Sequence, residues 1–148
     1  RSHFGAFESP RPDHFSLAAY LNIDNGTGRV RGANVFGPSS ATAVMRELLA
    51  PFADLGVVGA VQTTRRVVGS TDSASFSAAG LPAVNFEQDP IQYDAATHHT
   101  NLDTYERVIE DDVRSSAIVI ASVLYQLAMR DTALPRFDQD TMPAGTWR

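Results

Sequence analysis

From Phe15 to Phe86 the chain switches repeatedly between short apolar runs and stretches whose apolar residues recur at helical spacing, with Gly, Pro, Asn and Ser between them. This alternation constrains the fold most, because a strand hides both faces only where helices cover them. It implies an α/β three-layer sandwich around a mixed, largely parallel sheet. The run FSLAAYLNI, Phe15 to Ile23, reads as a strand buried on both faces that ends at Asp24. Asn25 to Gly28 (NGTG) is turn chemistry, since Asn and Gly tolerate positive φ, and Val30 to Phe36 is the next strand. Beyond the punctuation of Gly37 to Ser40, residues Ala41 to Phe52 place Val44, Met45, Leu48, Leu49 and Phe52 on one helical face, closed near Gly56. Val57 to Val61 reads as a further strand. The polar cluster Gly69 to Ser75 (GSTDSAS) leads into a short helix ended by Gly80 and Pro82, and Ala83 to Phe86 is a buried strand. Glu110 to Arg130 is the longest helix expected, with Val113, Ala117, Ile120, Ala121, Leu124 and Ala128 sharing one face.

The flanks read differently. Glu8 to His14 (ESPRPDH) holds two prolines, each lacking an N–H and biasing its predecessor toward extended backbone. With the uncapped RSHFGAF opening before it, the segment 1–14 is expected to be the tail of an upstream helix and a linker. Residues 15–130 form the body, and 131–148 an irregular tail. A length of 148 residues, 43% hydrophobic, suffices for a real core. A net charge of -5 and only 12 Lys and Arg, with no basic stripe, argue against a nucleic-acid partner. The longest purely apolar run, Ala117 to Ala121, is far short of the roughly 20 residues of a membrane span. The chain has no cysteine, which removes disulfides, thiolate metal ligands and cysteine nucleophiles.

Polar chemistry concentrates in THHTNLDT, Thr97 to Thr104. Zinc takes histidine nitrogen and carboxylate oxygen, and sites in open α/β sheets collect at the carboxyl ends of strands. Asp24 at a strand end and His99 in a loop suit such roles, and Asp72 lies in another loop beside a strand, before the short helix. Taken singly they equally suit an Asx turn and a solvated loop histidine. Ser70, Ser73 and Ser75 lie near Asp72, but no G-x-S-x-G elbow supports a serine nucleophile. NGTG and GPSS lack the spacing of phosphate-binding loops.

Three stretches in order, LNIDNGTGRVRG, GSTDSASFSAAGLP and THHTNLDTYERV, resemble the second half of the catalytic domain of the dinuclear-zinc aminopeptidases of clan MH, relatives of carboxypeptidase Q. The resemblance covers Phe15 to Arg130. It implies a zinc-exopeptidase-like fold, of which this chain is the C-terminal half, and a centre of two zinc ions in the complete domain. Asp24, in the strand-end N-x-D pattern, would be a ligand of one zinc, and His99, in the H-T-x-x-D-T pattern, of the other. Asp103 and Thr104 would orient the loop and cap the next helix. His98 would face the substrate carbonyl or pack in the loop, and Asp72 would line the site. Ser73 stands where the motif usually carries a histidine, and it cannot supply an imidazole's charge or proton. Tyr93 and Phe86 are candidates for an apolar specificity wall, with core packing the alternative for Phe86.

The family's H-x-D motif and its Glu-Glu pair, whose first member is the general base, occur nowhere in the chain, and His3 and His14 do not supply the former. Glu110, Asp111 and Asp112 fit the electrostatics of a helix N-terminus instead. The resemblance therefore implies a metallo-aminopeptidase that hydrolyses peptides with a metal-bound water, secreted or periplasmic, whose remaining ligands and base precede Arg1. The chain alone would be inactive, with an uncovered sheet edge available for self-association. The rival readings are a non-catalytic binding domain on the same scaffold and a glutaminyl cyclase.

Overall fold

Four short strands form one mixed sheet in the order β1-β4-β2-β3: β1 (Tyr20–Asn22), β2 (Val30–Phe36), β3 (Ala60–Thr63) and β4 (Ala83–Gln88). The computed structural model describes residues 11–66 and 71–145, so the expectations for 1–10, His3 included, and for Ser70 lie outside the described residues. β1 runs parallel to β4 and β3 parallel to β2, while β2 and β4 are antiparallel. Helices α1 (Pro12–Ser16), α2 (Ser39–Leu49), α3 (Asp72–Ala78) and α4 (Glu110–Ala128) complete the α/β arrangement.

Alternation along the strands divides the sheet faces. Ala33, Val35, Val84 and Phe86 point into the principal core with Met45 and Leu49 of α2 and Val119 and Val123 of α4. Each fully withdrawn side chain of this size contributes about 1.5–3 kcal/mol. Phe86 is completely buried there, which settles it as a core residue. The opposite face carries a row of asparagines: Asn22 and Asn34 both lie opposite Asn85 in register. The Asn22 amide donates to Asn85 Oδ1 (2.8 Å), and the Asn85 and Asn34 amides both donate to Glu87 (3.1 and 2.5 Å).

Two expected strands are shorter than the sequence suggests. In FSLAAYLNI only Tyr20–Asn22 pairs, because Pro12 suits the first turn of a helix and carries the chain helically through Ser16. Tyr20 and Leu21 are half-buried, and no described strand pairs with the outer edge of β1. β3 begins at Ala60 rather than Val57. Gly59 has φ +113°, and this bend interrupts a segment that already bonds to β2 through Val58 N–H to Arg31 O (2.7 Å). The helix expected over Ala41 to Phe52 becomes α2 and then a 3-10 stretch, Ala50–Leu55, that has Pro51 in its first turn and ends at Gly56 in the left-handed region.

The longest helix forms as expected but presents a different face to the core. Its buried residues are Asp112, Ser116, Val119 and Val123, one position away from the apolar stripe read from sequence. Val113 and Leu124 of that stripe are 45% and 55% exposed. Two polar contacts fix the rotation. Asp112 pairs with Arg29 (2.6 and 2.8 Å), and the Ser116 hydroxyl accepts from the Val30 N–H (3.0 Å) at the start of β2. Replacing Asp112 with alanine leaves Arg29 without its acceptor and is expected to lower unfolding free energy by about 1–3 kcal/mol in urea titration.

Asp89, just after β4, accepts from Arg31 (2.7 Å), and this hydrogen bond holds its carboxyl below the usual carboxylate range. A folded value below the unfolded one means the contact stabilises above about pH 4 and is lost as pH falls through the lowered value. Both side chains are about a third exposed or more, so water screens the contact and the effect is small. The stability difference between the unaltered chain and Arg31→Gln should therefore shrink on acidification from about pH 6 to about pH 2.

Candidate active site

Asp24 lies two residues beyond β1, and THHTNLDT follows β4, so the parallel pairing of β1 with β4 brings both to the same end of the sheet. Between β4 and the histidines the chain makes a single π-helical turn, Tyr93–Thr97, entered through Ile91 at φ +44°. Such turns and positive φ at a β-branched residue are uncommon and concentrate at functional sites. The Thr97 N–H and Ala96 N–H both reach Gln92 O (3.1 and 2.9 Å), and the His98 N–H reaches Tyr93 O (2.9 Å). The Thr100 hydroxyl ties the next turn to Ala96 O (2.6 Å) and accepts from the Leu102 N–H (3.2 Å). His99 has φ +57°, a left-handed conformation that costs a non-glycine residue on the order of 1 kcal/mol or more. The two imidazoles consequently lie against one another, ring centroids 4.0 Å apart, with Tyr93 4.7 Å from His98.

These elements enclose a cavity of about 620 Å³. Asp24, Tyr93, His98, His99 and Asp103 all line it. Apolar surface comes from Ile23, Pro90, Ile91 and Ile109. The Tyr93 hydroxyl donates to the Asp24 carbonyl (3.3 Å). Its phenol is raised above the ordinary value by partial desolvation and then by the negative charges of Asp24, Asp94 and Asp103. Tyr93 is thus a wall of the cavity and also a tether to Asp24.

Thr104 does not cap the long helix. It precedes a single 3-10 turn, Tyr105–Arg107, without a side-chain cap, while α4 starts later, after Ile109. Its hydroxyl bonds Glu106 instead. That contact, after Glu106's own backbone, holds the Glu106 carboxyl below its usual value. Glu106, Arg107 and Gln92 also line the cavity, with Arg107 bonded to Gln92, and nothing in the sequence pattern singles them out.

Asp72 and Ser73 are not part of this lining. Asp72 opens α3 with its carboxylate 3.5 Å from the Tyr20 hydroxyl. Tyr20 stacks on Phe76 with ring centroids 3.8 Å apart. Desolvation and then Asp72 raise the Tyr20 phenol, with a smaller contribution from the charge of Asp24. Ser73 is buried beside Thr71 (2.8 Å) and Asn85 (3.5 Å) and faces a second cavity on the asparagine side of the sheet.

Imidazole nitrogen and carboxylate oxygen are ordinary ligands of zinc, and both stand at this cavity. Among the described residues none hydrogen-bonds the Asp24 carboxylate or the His99 ring, which lies against that of His98, so both donors are available. Among the described residues no three His, Asp or Glu side chains come together as a metal-holding group. The pair fits a contribution to a zinc centre and is not a centre by itself.

The crystal structure of a Peptidase M28 precursor from Shewanella amazonensis SB2B shares this fold, with a TM-score of 0.64 and 22% sequence identity over 81% of the present chain. The present chain spans 27% of the length of that one. No curated protein matches the chain. The model of Peptidase family M28 matches residues 2–124. With that match over most of its length and the same fold in an M28 relative, the chain belongs to Peptidase family M28, within the zinc aminopeptidase clan MH.

Proposed function

We propose that this chain is part of a zinc-dependent metallo-exopeptidase that removes residues from the amino terminus of peptides. The observation that carries the proposal is the convergence of Asp24, His98, His99 and Asp103 on one cavity from two segments far apart in sequence. In this reading Asp24 and His99 would each hold one of two zinc ions. The metal would supply a water of lowered pKa and polarise the scissile carbonyl. His98, its ring tilted against those of Tyr93 and His99, would donate an N–H to the substrate carbonyl oxygen, where a preorganised donor stabilises developing negative charge. Asp103 and Tyr93 hold the loop and the Asp24 segment, and the apolar wall receives the substrate side chain. Asp72 acts on this end of the site through Tyr20, and Ser73 takes no part in proton transfer.

The general base and the other ligands are expected in sequence upstream of Arg1, and the 148 residues alone are expected to be inactive. The decisive experiment assays a polypeptide extended upstream against aminoacyl p-nitroanilides, with and without chelator. Chelator-sensitive hydrolysis is the expected result, and absent or chelator-insensitive hydrolysis contradicts the proposal. One observation favours a second reading, a non-catalytic domain: no described trio of metal-ligating side chains exists. Zinc titration of the extended polypeptide separates the two, because the non-catalytic domain binds no zinc that depends on His99.

A further inference from the structure

Asp24 is exposed and two residues past the last paired residue of β1, so the sheet itself does not hold it. The parallel ladder between β1 and β4 ends at Asn22 opposite Asn85. Three positions further along both strands the Gln88 side chain continues the pairing. Its Oε1 accepts from the Asn25 N–H (3.0 Å), and its Nε2 donates to both the Gly26 and the Gly28 carbonyl oxygens (2.8 Å each). One carboxamide thereby satisfies three backbone groups of the turn that follows Asp24.

The turn can accept this clip only because of its glycines. Gly26 has φ +87°, which turns its carbonyl toward β4. At Gly28 the chain passes so close to β4 that an added Cβ would stand 2.0 Å from the Asp89 carbonyl oxygen. Asp24 is then fixed on one side by the β1 ladder and on the other by the Gln88 clip. The Tyr93 hydroxyl on the Asp24 carbonyl (3.3 Å) is the remaining tether. The bond to Gly26 is exposed and those to Asn25 and Gly28 are part-buried, so loss of the clip frees the turn that follows Asp24 and lowers stability by no more than these three local bonds contribute.

We infer that Gln88 is a positioning residue for Asp24, its side chain replacing the strand pairing that ends at Asn22 and fixing the direction of the Asp24 carboxylate. The inference rests on the proposed metal role of Asp24. Its first test does not. In the 148-residue chain, Gln88→Met keeps the length of the side chain and removes all three bonds, and Gln88→Glu keeps only the acceptor for Asn25. Hydrogen exchange at the Asn25 amide should accelerate at least about tenfold in Gln88→Met and less in Gln88→Glu, by more than any change in global stability accounts for. Unchanged exchange in Gln88→Met overturns the clip.

The second test measures zinc affinity of the extended polypeptide by chelator competition. Outer partners of metal ligands typically govern affinity by about 10- to 100-fold, and a loss in that range is expected for Gln88→Met, with partial recovery in Gln88→Glu. Altered exchange with unaltered zinc affinity overturns the positioning role alone. Absence of zinc binding by the unsubstituted extended polypeptide overturns the metal reading and this inference with it, while the exchange result still reports whether the clip exists.

Discussion

Replacing His99 with alanine in the extended polypeptide is expected to abolish chelator-sensitive hydrolysis of aminoacyl p-nitroanilides. A metal that polarises the carbonyl and activates water supplies several kcal/mol of transition-state stabilisation, so the loss should be on the order of a thousandfold or more in kcat/KM. Zinc stoichiometry should fall with it. His98→Ala provides the contrast. It removes one donor next to the reacting carbonyl and should cost about 100- to 1,000-fold in kcat, with zinc content retained. The loop is built so that the two effects can be separated. The His98 N–H is fixed to the Tyr93 carbonyl and His99 sits beyond it at positive φ, so neither backbone position depends on the neighbour's imidazole. Zinc retention by the His99 variant would remove it from the ligand set.

The second large effect concerns the 148 residues by themselves, which should sediment above their monomer mass of 16.0 kDa. Two surfaces argue for it. β1 is the outermost strand with no described partner on its free side, and an open edge of this kind pairs readily with another chain. α4 turns Val113 and Leu124 to solvent, and Ile23 at the end of β1 lies with Val113 and Ile120 along a common groove. Each large apolar side chain withdrawn from water at a contact contributes about 1.5–3 kcal/mol, so a few suffice for association at micromolar concentration. Val113→Lys with Leu124→Lys should shift the distribution toward monomer while leaving helicity intact, since neither side chain is in the buried face. A sharp monomer peak from the unaltered chain would contradict this expectation.

How far the sequence foretold the molecule depends on the range of the forces involved. α2 and β2 were legible because their own spacing of apolar residues matches the face they bury. The rotation of α4 was not, because its apolar stripe and its buried stripe differ. The Arg29–Asp112 pair and the Ser116 hydroxyl decide between them, and both partners lie in β2 or just before it, more than 80 residues away. FSLAAYLNI reads as one strand on hydrophobicity alone, but Pro12 opens a helical turn that runs into this stretch as far as Ser16. In the candidate site, Asp24, His98, His99 and Asp103 stand out through their motifs and Tyr93 as a wall residue, and all five line one cavity. Asp72 and Ser73 share a motif yet lie outside that cavity, Asp72 against the Tyr20 hydroxyl and Ser73 beside Thr71 and Asn85. Gln88 and Tyr20 were illegible: a glutamine at a strand end and a tyrosine within one have no local signature, and their roles exist only across strands.

The order of the strands also dictates when the site can come into being. Of the four described strands β1 comes first in the sequence, but its only described partner strand is β4, and the bonds from Asn22 to Asn85 and from Asn25, beyond β1, to Gln88 each close a separation of 63 residues. Closing so long a loop costs chain entropy before any contact rewards it, and non-local pairing of this kind is slow compared with helix formation. α2 and the β2–β3 pair can assemble while Asp24 is still on an unattached segment. β4 lies between β1 and β2, so the candidate site, at the ends of β1 and β4, takes its shape only once this long-range pairing closes.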